Sequence, residues 1–320
     1  MSETPRFTIK RGIYPFSSYI ARCAQLAMCL EVSASPKPGN VDRHDDYEDT
    51  RYEHFLASAI SIYPVIEEAA SNSNDVGKLI KKAVKESVSW QKGGNTHFGA
   101  IILLIPLAMA TGRILDRKDT FTIPELTECA HKILKNTDIS DAVSFYSCFD
   151  DAGVKVNPVE EFSLQDKKAI NELNEKKVSL YELMEIAKNY DLIANEWTSG
   201  FDRCAACAEI IIRSMDRNDS SGRPDADIND VIVYAFLKIL SENEDTFIST
   251  KFDSETAMSV SSHARSLLQN IYNHKVCIKD IKPLIEEMDR ELLERKINPG
   301  STADIVIAGI FIALLAGARY

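Results

Sequence analysis

Apolar residues recur every three or four positions along most of this chain, which is the spacing of amphipathic helices. In residues 14–31, for example, Cys23, Leu26, Ala27 and Leu30 fall on one face. The same spacing predicts further helices over residues 52–70, 76–91, 100–109, 123–135, 138–149, 179–189, 191–215, 228–240, 254–270, 278–295 and 301–317. No run of alternating apolar and polar residues indicates a strand, and no internal repeat or shift in composition divides the chain. The sequence therefore predicts an all-α fold, with residues 1–320 forming one globular domain.

Two apolar stretches, residues 100–110 and 305–318, predict a central and a C-terminal helix buried in the core. Both are shorter than the roughly 18 residues that suggest a membrane span. Residues 1–12 are polar and basic and do not resemble a secretory signal. With 45% hydrophobic and 27% charged residues, the chain has an ordinary globular composition. We therefore expect a soluble, cytoplasmic protein that does not act in a membrane.

The net negative charge and the spacing of the cysteines disfavour several classes of function. A formal net charge of −11 disfavours general binding to nucleic acid or to an anionic membrane surface, because both are negatively charged. The seven cysteines are irregularly spaced and are expected to be reduced. Cys204 and Cys207 form a CxxC motif, but it lies within a predicted helix and has no second cysteine pair or histidine pair nearby. We therefore expect this motif to be structural.

The segment at residues 31–43 ends the first helical pattern with a stiff, charged loop. Its two prolines fix two φ angles, and Gly39 permits a conformation that other residues avoid. Lys37, Asp42 and Arg43 place charges on this stiffened backbone. By composition alone, an ordinary connecting loop is the more economical interpretation, because proline and glycine punctuate most loops. The other segments favour an active-site loop.

Residues 92–99, Lys-Gly-Gly-Asn-Thr-His-Phe-Gly, stand directly before a predicted buried helix. Free backbone N–H groups and the positive end of the helix dipole converge at such a position, which suits a phosphate. His97 adds a group that can donate a proton near neutral pH or bind a metal. The alternative is that Asn95 or Thr96 only caps the helix while the glycines make the turn.

Two later segments carry similar groups. Residues 298–304 precede and begin the last apolar helix. One interpretation is that Ser301 and Asp304 form a capping box. The alternative is that the helix N-terminus binds an anion while Asp304 binds a magnesium ion or a hydroxyl group. Asp245 and Lys251 bracket a short segment after a helix, which surface charges explain as readily. Together these glycine-containing helix entries, acids and lysines fit polyphosphate binding, in which amides and cations hold oxygens and carboxylates hold magnesium. There is no GxxxxGK[ST] motif, so this is not a Walker P-loop.

Taken together, these segments resemble the triphosphoribosyl-dephospho-CoA synthase family. The resemblance is carried by Ser-Pro-Lys-Pro-Gly-Asn-Val-Asp-Arg at 35–43, Phe55 with Ser58 and Ala59, Gly-Gly-Asn-Thr-His at 93–97, Asp245 and Thr246 with Lys251, and Asn-Pro-Gly-Ser-Thr-Ala-Asp at 298–304. Each motif is weak alone, but the set follows the family's order and spans most of the chain. The resemblance implies an all-α enzyme that transfers the triphosphoribosyl group of ATP to the ribose hydroxyl of 3'-dephospho-CoA and releases adenine.

The resemblance also implies a set of site residues. The expected catalytic residues are Asp42, His97 and Asp304, with His97 as the acid near the departing base or as a ligand. Magnesium, entering with ATP, is expected on Asp42, Asp245 and Asp304. The residues expected to bind substrate and phosphates are Lys37, Gly39, Arg43, Gly94, Asn95, Thr96, Lys251, Asn298, Gly300 and Ser301. The expected partners are ATP and dephospho-CoA or a related acceptor, and the apolar C-terminal helix suits either the core or a homodimer interface.

Three departures from the family pattern leave the acceptor open. The usual bacterial pattern has another residue between Gly-Gly and Asn-Thr-His. Phe98 stands where bacterial members have a lysine after the histidine, and Phe252 stands where a glycine usually follows the basic residue of the third motif. These differences resemble a divergent, archaeal-type branch. The alternatives are an N-ribosyl hydrolase, a phosphoribosyl-type transferase with another acceptor, as in pterin cofactor synthesis, and a non-catalytic nucleotide-binding helical protein. Whether the acidic patch at residues 44–49 belongs to the same site also stays open.

Overall fold

The computed structural model describes residues 5–9, 13–71, 74–152, 173, 175–215, 227–274 and 277–320, and it confirms the predicted all-α fold. Two short strands, β1 (Phe7–Thr8) and β2 (Thr120–Phe121), pair antiparallel. The principal helices are α1 (Phe16–Ser33), α2 (Tyr52–Ser61), α3 (Tyr63–Ala69), α4 (Val76–Ser89), α5 (Phe98–Leu115), α6 (Ile123–Lys135), α7 (Ile139–Ala152), α8 (Leu180–Ala187), α9 (Leu192–Ser199), α10 (Asp202–Met215), α11 (Ile228–Glu242), α12 (Thr246–Lys251), α13 (Ser254–His274), α14 (Lys282–Glu294) and α15 (Gly300–Leu315), with a 3₁₀ helix at Ile278–Ile281.

Helix α15 lies in the core and packs against α1, α5, α10 and α11. Every residue of α15 is buried except Gly300 and Asp304, which both stand in its first turns. Cys207 of α10 packs against Gly309, and both members of the CxxC motif are buried and free of disulfides. The cysteine pair therefore contributes to the packing of α10 on α15, which fits the structural role expected of it.

Helix α5 is the second buried helix of the core. It is long and apolar enough to cross a membrane, but most of it is buried against other parts of the protein, including α1, α6 and α15. Pro106 lies inside this helix, which continues on both sides of it. Burial on all sides explains why α5 is apolar around its whole circumference, as expected for a core helix.

Three of the predicted helices are not continuous α-helices. The pattern over residues 278–295 begins with the 3₁₀ helix Ile278–Ile281 and continues as α14. The pattern over residues 52–70 is divided at Ile62, because Pro64 starts a new helix in the first turn of α3. The pattern over residues 191–215 is divided at Gly200 and Phe201, which take φ values of +80° and +66°. A left-handed glycine ends a helix because it has no Cβ to clash. Residues 151–163 and 216–227, whose glycine, proline and acidic residues predict loops, lie almost entirely outside the described residues.

Candidate functional site

A cavity of about 560 Å³ lies where the N-termini of α5, α9, α12 and α15 meet. Its volume falls in the usual range of small-molecule sites. The polar residues that line it include Glu31, Asn40, Tyr47, Glu48, Asp49, Thr50, Asn95, Thr96, His97, Asp191, Thr246, Thr250, Lys251, Lys296, Asn298, Ser301 and Asp304. The apolar residues, here called the apolar wall, include Phe55, Phe98, Ile102, Phe145, Leu183, Met184, Ile186, Ile193 and Ile307.

The cavity brings together residues from all four segments singled out in the sequence, although residues 31–43 contribute only Glu31 and Asn40. The predicted site residues that line it are Asn95, Thr96, His97, Lys251, Asn298, Gly300, Ser301 and Asp304. Those that do not line it are Lys37, Gly39, Asp42, Arg43, Gly94 and Asp245. The sequence did not decide whether the acidic patch at residues 44–49 belongs to the site. In the structure Tyr47, Glu48 and Asp49 of this patch line the cavity.

Asp245 fixes the N-terminus of α12 to that of α15. Its Oδ1 accepts hydrogen bonds from the backbone N–H groups of Phe247 (2.9 Å) and Ile248 (3.2 Å). Its Oδ2 accepts from the backbone N–H and the Oγ1–H of Thr302, both at 2.7 Å. Asp245 is fully buried, and its two oxygens already have four donors. Binding a metal, as the sequence suggested, would require this carboxylate to give up bonds that hold two helices.

Thr246 and Asp191 connect the N-terminus of α9 to the same arrangement. Thr246 Oγ1 accepts from the backbone N–H of Leu192 at 3.0 Å and lies 3.1 Å from Ser301 Oγ. Asp191 caps α9, because its Oδ1 accepts from the N–H groups of the second and third helical residues. These contacts hold three helix N-termini in a fixed relation, with their positive dipole ends at one cavity.

Asp304 of α15 connects α5, the fourth helix at the cavity, to the other three. Its carboxylate accepts a hydrogen bond from the backbone N–H of Ala100, in the first turn of α5. A Cβ at Gly99 would collide with Asp304 Oδ2, so only glycine lets α5 approach this carboxylate closely. Asp304 as a residue is only half-buried, but its carboxyl group is desolvated between α5 and α15, and this raises its pKa well above the usual value. The nearby carboxylates of Glu31, Asp245 and Asp191 raise the pKa further. The protonated form of Asp304 is therefore favoured relative to that of an exposed aspartate.

His97 shows the opposite shift. Burial, together with the charge of Lys37, lowers the pKa of His97 to about 3, so the imidazole is neutral at pH 7. Its Nδ1 lies 2.9 Å from Ser58 Oγ. Its Nε2 and the Oγ1 of Thr96 are buried without a hydrogen-bond partner among the described residues. A neutral ring cannot act as the imidazolium acid suggested by the sequence, but its free nitrogen suits contact with a bound molecule.

Lys37, in the loop after α1, contacts two residues that line the cavity, Glu31 and Asn40. The Nζ of Lys37 donates to Glu31 Oε1 at 2.6 Å and to Asn40 Oδ1 at 3.1 Å, and the side chain is fully buried. Asn40 in turn donates through Nδ2 to Asn298 Oδ1 at 2.9 Å. Lys37 was predicted to hold phosphate directly. In the structure its charge is paired with Glu31, so it acts on the cavity through Glu31 and Asn40.

Three other predicted residues stand apart from the cavity lining. Arg43 is exposed, and its Nε donates to the backbone oxygen of Ser33. Gly94 has a φ of +66° and accepts a hydrogen bond from Gln91 Nε2 on its backbone oxygen, which fits a turn. Asp42 is fully buried in the loop after α1. The three proposed magnesium ligands thus do not gather at one point within the described residues.

Two lysines border the cavity. Lys251, at the end of α12, is exposed. The Nζ of Lys296 lies 3.8 Å from Glu48 Oε2. The sequence singled out Lys251 but missed Lys296, together with Glu31, Asn40 and Asp191. The sequence signal that could have identified Lys296 is its position two residues before Asn298, in the segment that precedes α15. The others were hidden because Glu31 and Asp191 lie at the ends of ordinary helical patterns.

The comparisons with known proteins agree with one another. A family model described as ATP:dephospho-CoA triphosphoribosyl transferase matches residues 17–319. A Streptococcus pyogenes serotype M3 protein assigned as a 2-(5''-triphosphoribosyl)-3'-dephosphocoenzyme-A synthase is 25% identical over 312 residues, covering 92% of this chain and 96% of its own length. A protein of the same description from Streptococcus equi subsp. zooepidemicus is 24% identical over 310 residues, with the same coverage.

A solved structure gives the same result in three dimensions. The crystal structure of a protein from Archaeoglobus fulgidus, assigned as a triphosphoribosyl-dephospho-CoA synthase, superimposes with a TM-score of 0.62 and 27% sequence identity. The match covers 82% of this chain and 100% of the other. All four motif segments, and the residues of all four helix N-termini at the cavity, lie within the range matched by the family model.

Proposed function

Because the chain belongs to the ATP:dephospho-CoA triphosphoribosyl transferase family, and is thus a transferase of the triphosphoribosyl-dephospho-CoA synthase type, we propose that it transfers the triphosphoribosyl group of ATP to the ribose hydroxyl of 3'-dephospho-CoA. Adenine is the leaving group. The observation that carries this proposal is the convergence of four helix N-termini, Lys251, Lys296 and the Asp304 carboxyl group on one cavity.

The polar part of the cavity supports binding of the triphosphate. The positive dipole ends of the four helices favour phosphate oxygens. Many of the first-turn N–H groups already donate to side chains such as Asp191, Asp245 and Asp304, so the dipoles and the lysines carry this part of the argument. Lys251 and Lys296 add two cations at the cavity in a protein whose net charge is −11. Magnesium enters in this proposal as part of the MgATP substrate, because Asp245 already has four donors and Asp42 does not line the cavity.

The apolar wall supports binding of the uncharged parts of the substrates. Phe98 and Phe145 stack with ring centroids 6.0 Å apart, and both line the cavity. Aromatic and aliphatic surfaces of this kind suit the adenine ring and the pantetheine chain. Phe98, which replaces a lysine of the bacterial pattern, thus belongs to the apolar wall and does not make the site less suited to a nucleotide.

The raised pKa of Asp304 suggests how protons move. The bond between the anomeric carbon and adenine breaks through an oxocarbenium-like centre, and the acceptor hydroxyl forms the new bond. In this proposal protonated Asp304 gives a proton to the departing adenine and, once ionised, takes up the proton of the acceptor hydroxyl, while neutral His97 contacts the bound substrate through Nε2. A carboxyl group whose pKa is raised by its surroundings is a typical general acid.

The direct test is to incubate the purified protein with MgATP, with and without dephospho-CoA, and to measure free adenine and the coupled product by chromatography and mass spectrometry. Adenine release that depends on dephospho-CoA, with a product heavier by the triphosphoribosyl group, supports the proposal. Release of ADP indicates a kinase, and adenine release without acceptor indicates an N-ribosyl hydrolase; either result refutes it.

Gly99→Ala tests the approach of α5 to Asp304. The added methyl would displace the Asp304 carboxylate, so we expect kcat for adenine release to fall by at least about tenfold, since small displacements at a reacting centre are costly. The control is Gly317→Ala, which has a φ of +96° and open space around it, and which costs about 1 kcal/mol of stability without touching the cavity. Equal losses of activity in the two variants would show that the Gly99 contact has no special role.

A further inference from the structure

Three carboxylates meet outside the cavity, between the loop after α1 and helix α14. Asp42, Asp45 and Asp289 each bring one oxygen to within 4.8 Å of the other two. None of the three lines the cavity, whereas Asn40 and Tyr47 of the same loop do. The cluster is therefore a separate feature that joins this loop to α14.

The hydrogen bonds of the cluster leave oxygens without donors. Asp42 is fully buried; its Oδ1 accepts from the backbone N–H groups of His44 (2.7 Å) and Asp45 (3.2 Å), while its Oδ2 has no partner among the described residues. Asp289 is 4% exposed, and its Oδ1 accepts from the Gly39 N–H at 2.8 Å. A buried carboxylate oxygen without a donor is costly unless a cation or proton satisfies it.

No side-chain cation of the described part of the chain forms an ion pair with these acids. Lys37, a basic residue of the same loop, uses its Nζ on Glu31 and Asn40. Arg43 turns its guanidinium to the backbone of Ser33. Asp45 is only partly buried, so an ion from solvent can reach the cluster.

We propose that Asp42, Asp45 and Asp289 bind a hard divalent cation that fastens the loop after α1 to α14. Carboxylate oxygens are the preferred ligands of Mg²⁺, Mn²⁺ and Ca²⁺. Oxygens on opposite sides of such an ion lie about 4 to 5 Å apart, given ion–oxygen distances of about 2.0–2.6 Å, so the observed spacing needs little rearrangement. The ion neutralises the unpartnered oxygen of Asp42 and holds the loop that presents Asn40 and Tyr47 to the cavity.

The test uses the full chain without nucleotide, so that an ion carried by ATP cannot contribute. The chain is freed of metal with a chelator, and Mn²⁺ binding is followed by the loss of the free-ion electron paramagnetic resonance signal. We expect one saturable site and a rise in Tm of about 2 °C or more at saturating Mn²⁺. Competition with Mg²⁺ and Ca²⁺ then identifies the cation that the site prefers.

Asp45→Asn and Asp289→Asn are expected to weaken Mn²⁺ binding by at least tenfold and to remove the Tm shift. Glu287→Gln, an exposed change on the same helix, should bind as the parent protein does. Absence of Mn²⁺ binding by the parent protein, or parental binding by both Asp variants, overturns the proposal. If Asp289→Asn does not fold, Asp45→Asn decides the matter, because this side chain is partly exposed. The result is independent of the adenine-release assay, so this proposal and the proposed function can fail separately.

Discussion

Asp304→Asn is expected to reduce kcat for adenine release by roughly 10²- to 10⁴-fold, the usual contribution of a positioned general acid. The amide keeps the size of the side chain but cannot donate a proton to the departing base as a carboxylic acid does. The Km for ATP should change little, because the helix N-termini and lysines stay in place. Steady-state kinetics with chromatographic detection of adenine measures both constants.

Asp202→Asn is the matched control for this change, since Asp202 is an exposed aspartate in the first turn of α10 and does not line the cavity. It should retain the parental kcat and Km. If Asp304→Asn retained more than about a tenth of the parental kcat, Asp304 would not be the acid. If it raised Km for ATP with unchanged kcat, Asp304 would instead contribute to ground-state binding.

Asp245→Ala is expected to lower the free energy of unfolding by about 3–5 kcal/mol, because it leaves buried donors of α12 and α15 without acceptors. Thr302, which supplies two of these donors, is fully buried as well. Urea denaturation followed by circular dichroism measures the loss. Activity should fall with stability, since Asp245 positions the N-termini without lining the cavity.

Two comparison variants separate the parts of this effect. Asp245→Ser can still cap α12 but is too short to reach Thr302, so it should recover about 1–2 kcal/mol of the loss. Asp253→Ala removes a helix cap at an exposed position, where the Asp253 side chain accepts from the Thr256 N–H, and it should be less harmful. If Asp245→Ala cost no more than Asp253→Ala, the connection between α12 and α15 would have no energetic weight.

The sequence predicted most of the helices because burial of one face imposes a regular spacing on each. It failed where the backbone changes direction without breaking that spacing. Residues 191–215 keep an apolar face throughout, but Gly200 and Phe201 take positive φ values and turn the chain. Helix α12 has six residues, too few to show a period, so Asp245 could be interpreted as a surface charge or a metal ligand as well as a cap.

The candidate site was predictable in its motifs but not in its contacts. His97 and Asp304 were both identified, and the structure places both at the cavity. Their pKa shifts depend on burial by distant elements, which no local pattern shows. Lys37 was expected to bind phosphate because its partner, Glu31, lies near the end of the preceding helix, and no local pattern shows that the two side chains pair. Only the folded loop brings the two charges to 2.6 Å.

The hydrogen bonds that build the cavity belong to the deepest part of the fold. Ala100 and Thr302 are fully buried, and their N–H groups donate to Asp304 and Asp245 across helices that pack in the core. These amides cannot reach solvent by fraying of a helix end; they exchange only when the core itself opens. Hydrogen exchange at these two positions therefore reports the global free energy of unfolding, and a nucleotide bound in the cavity slows it together with exchange throughout the core.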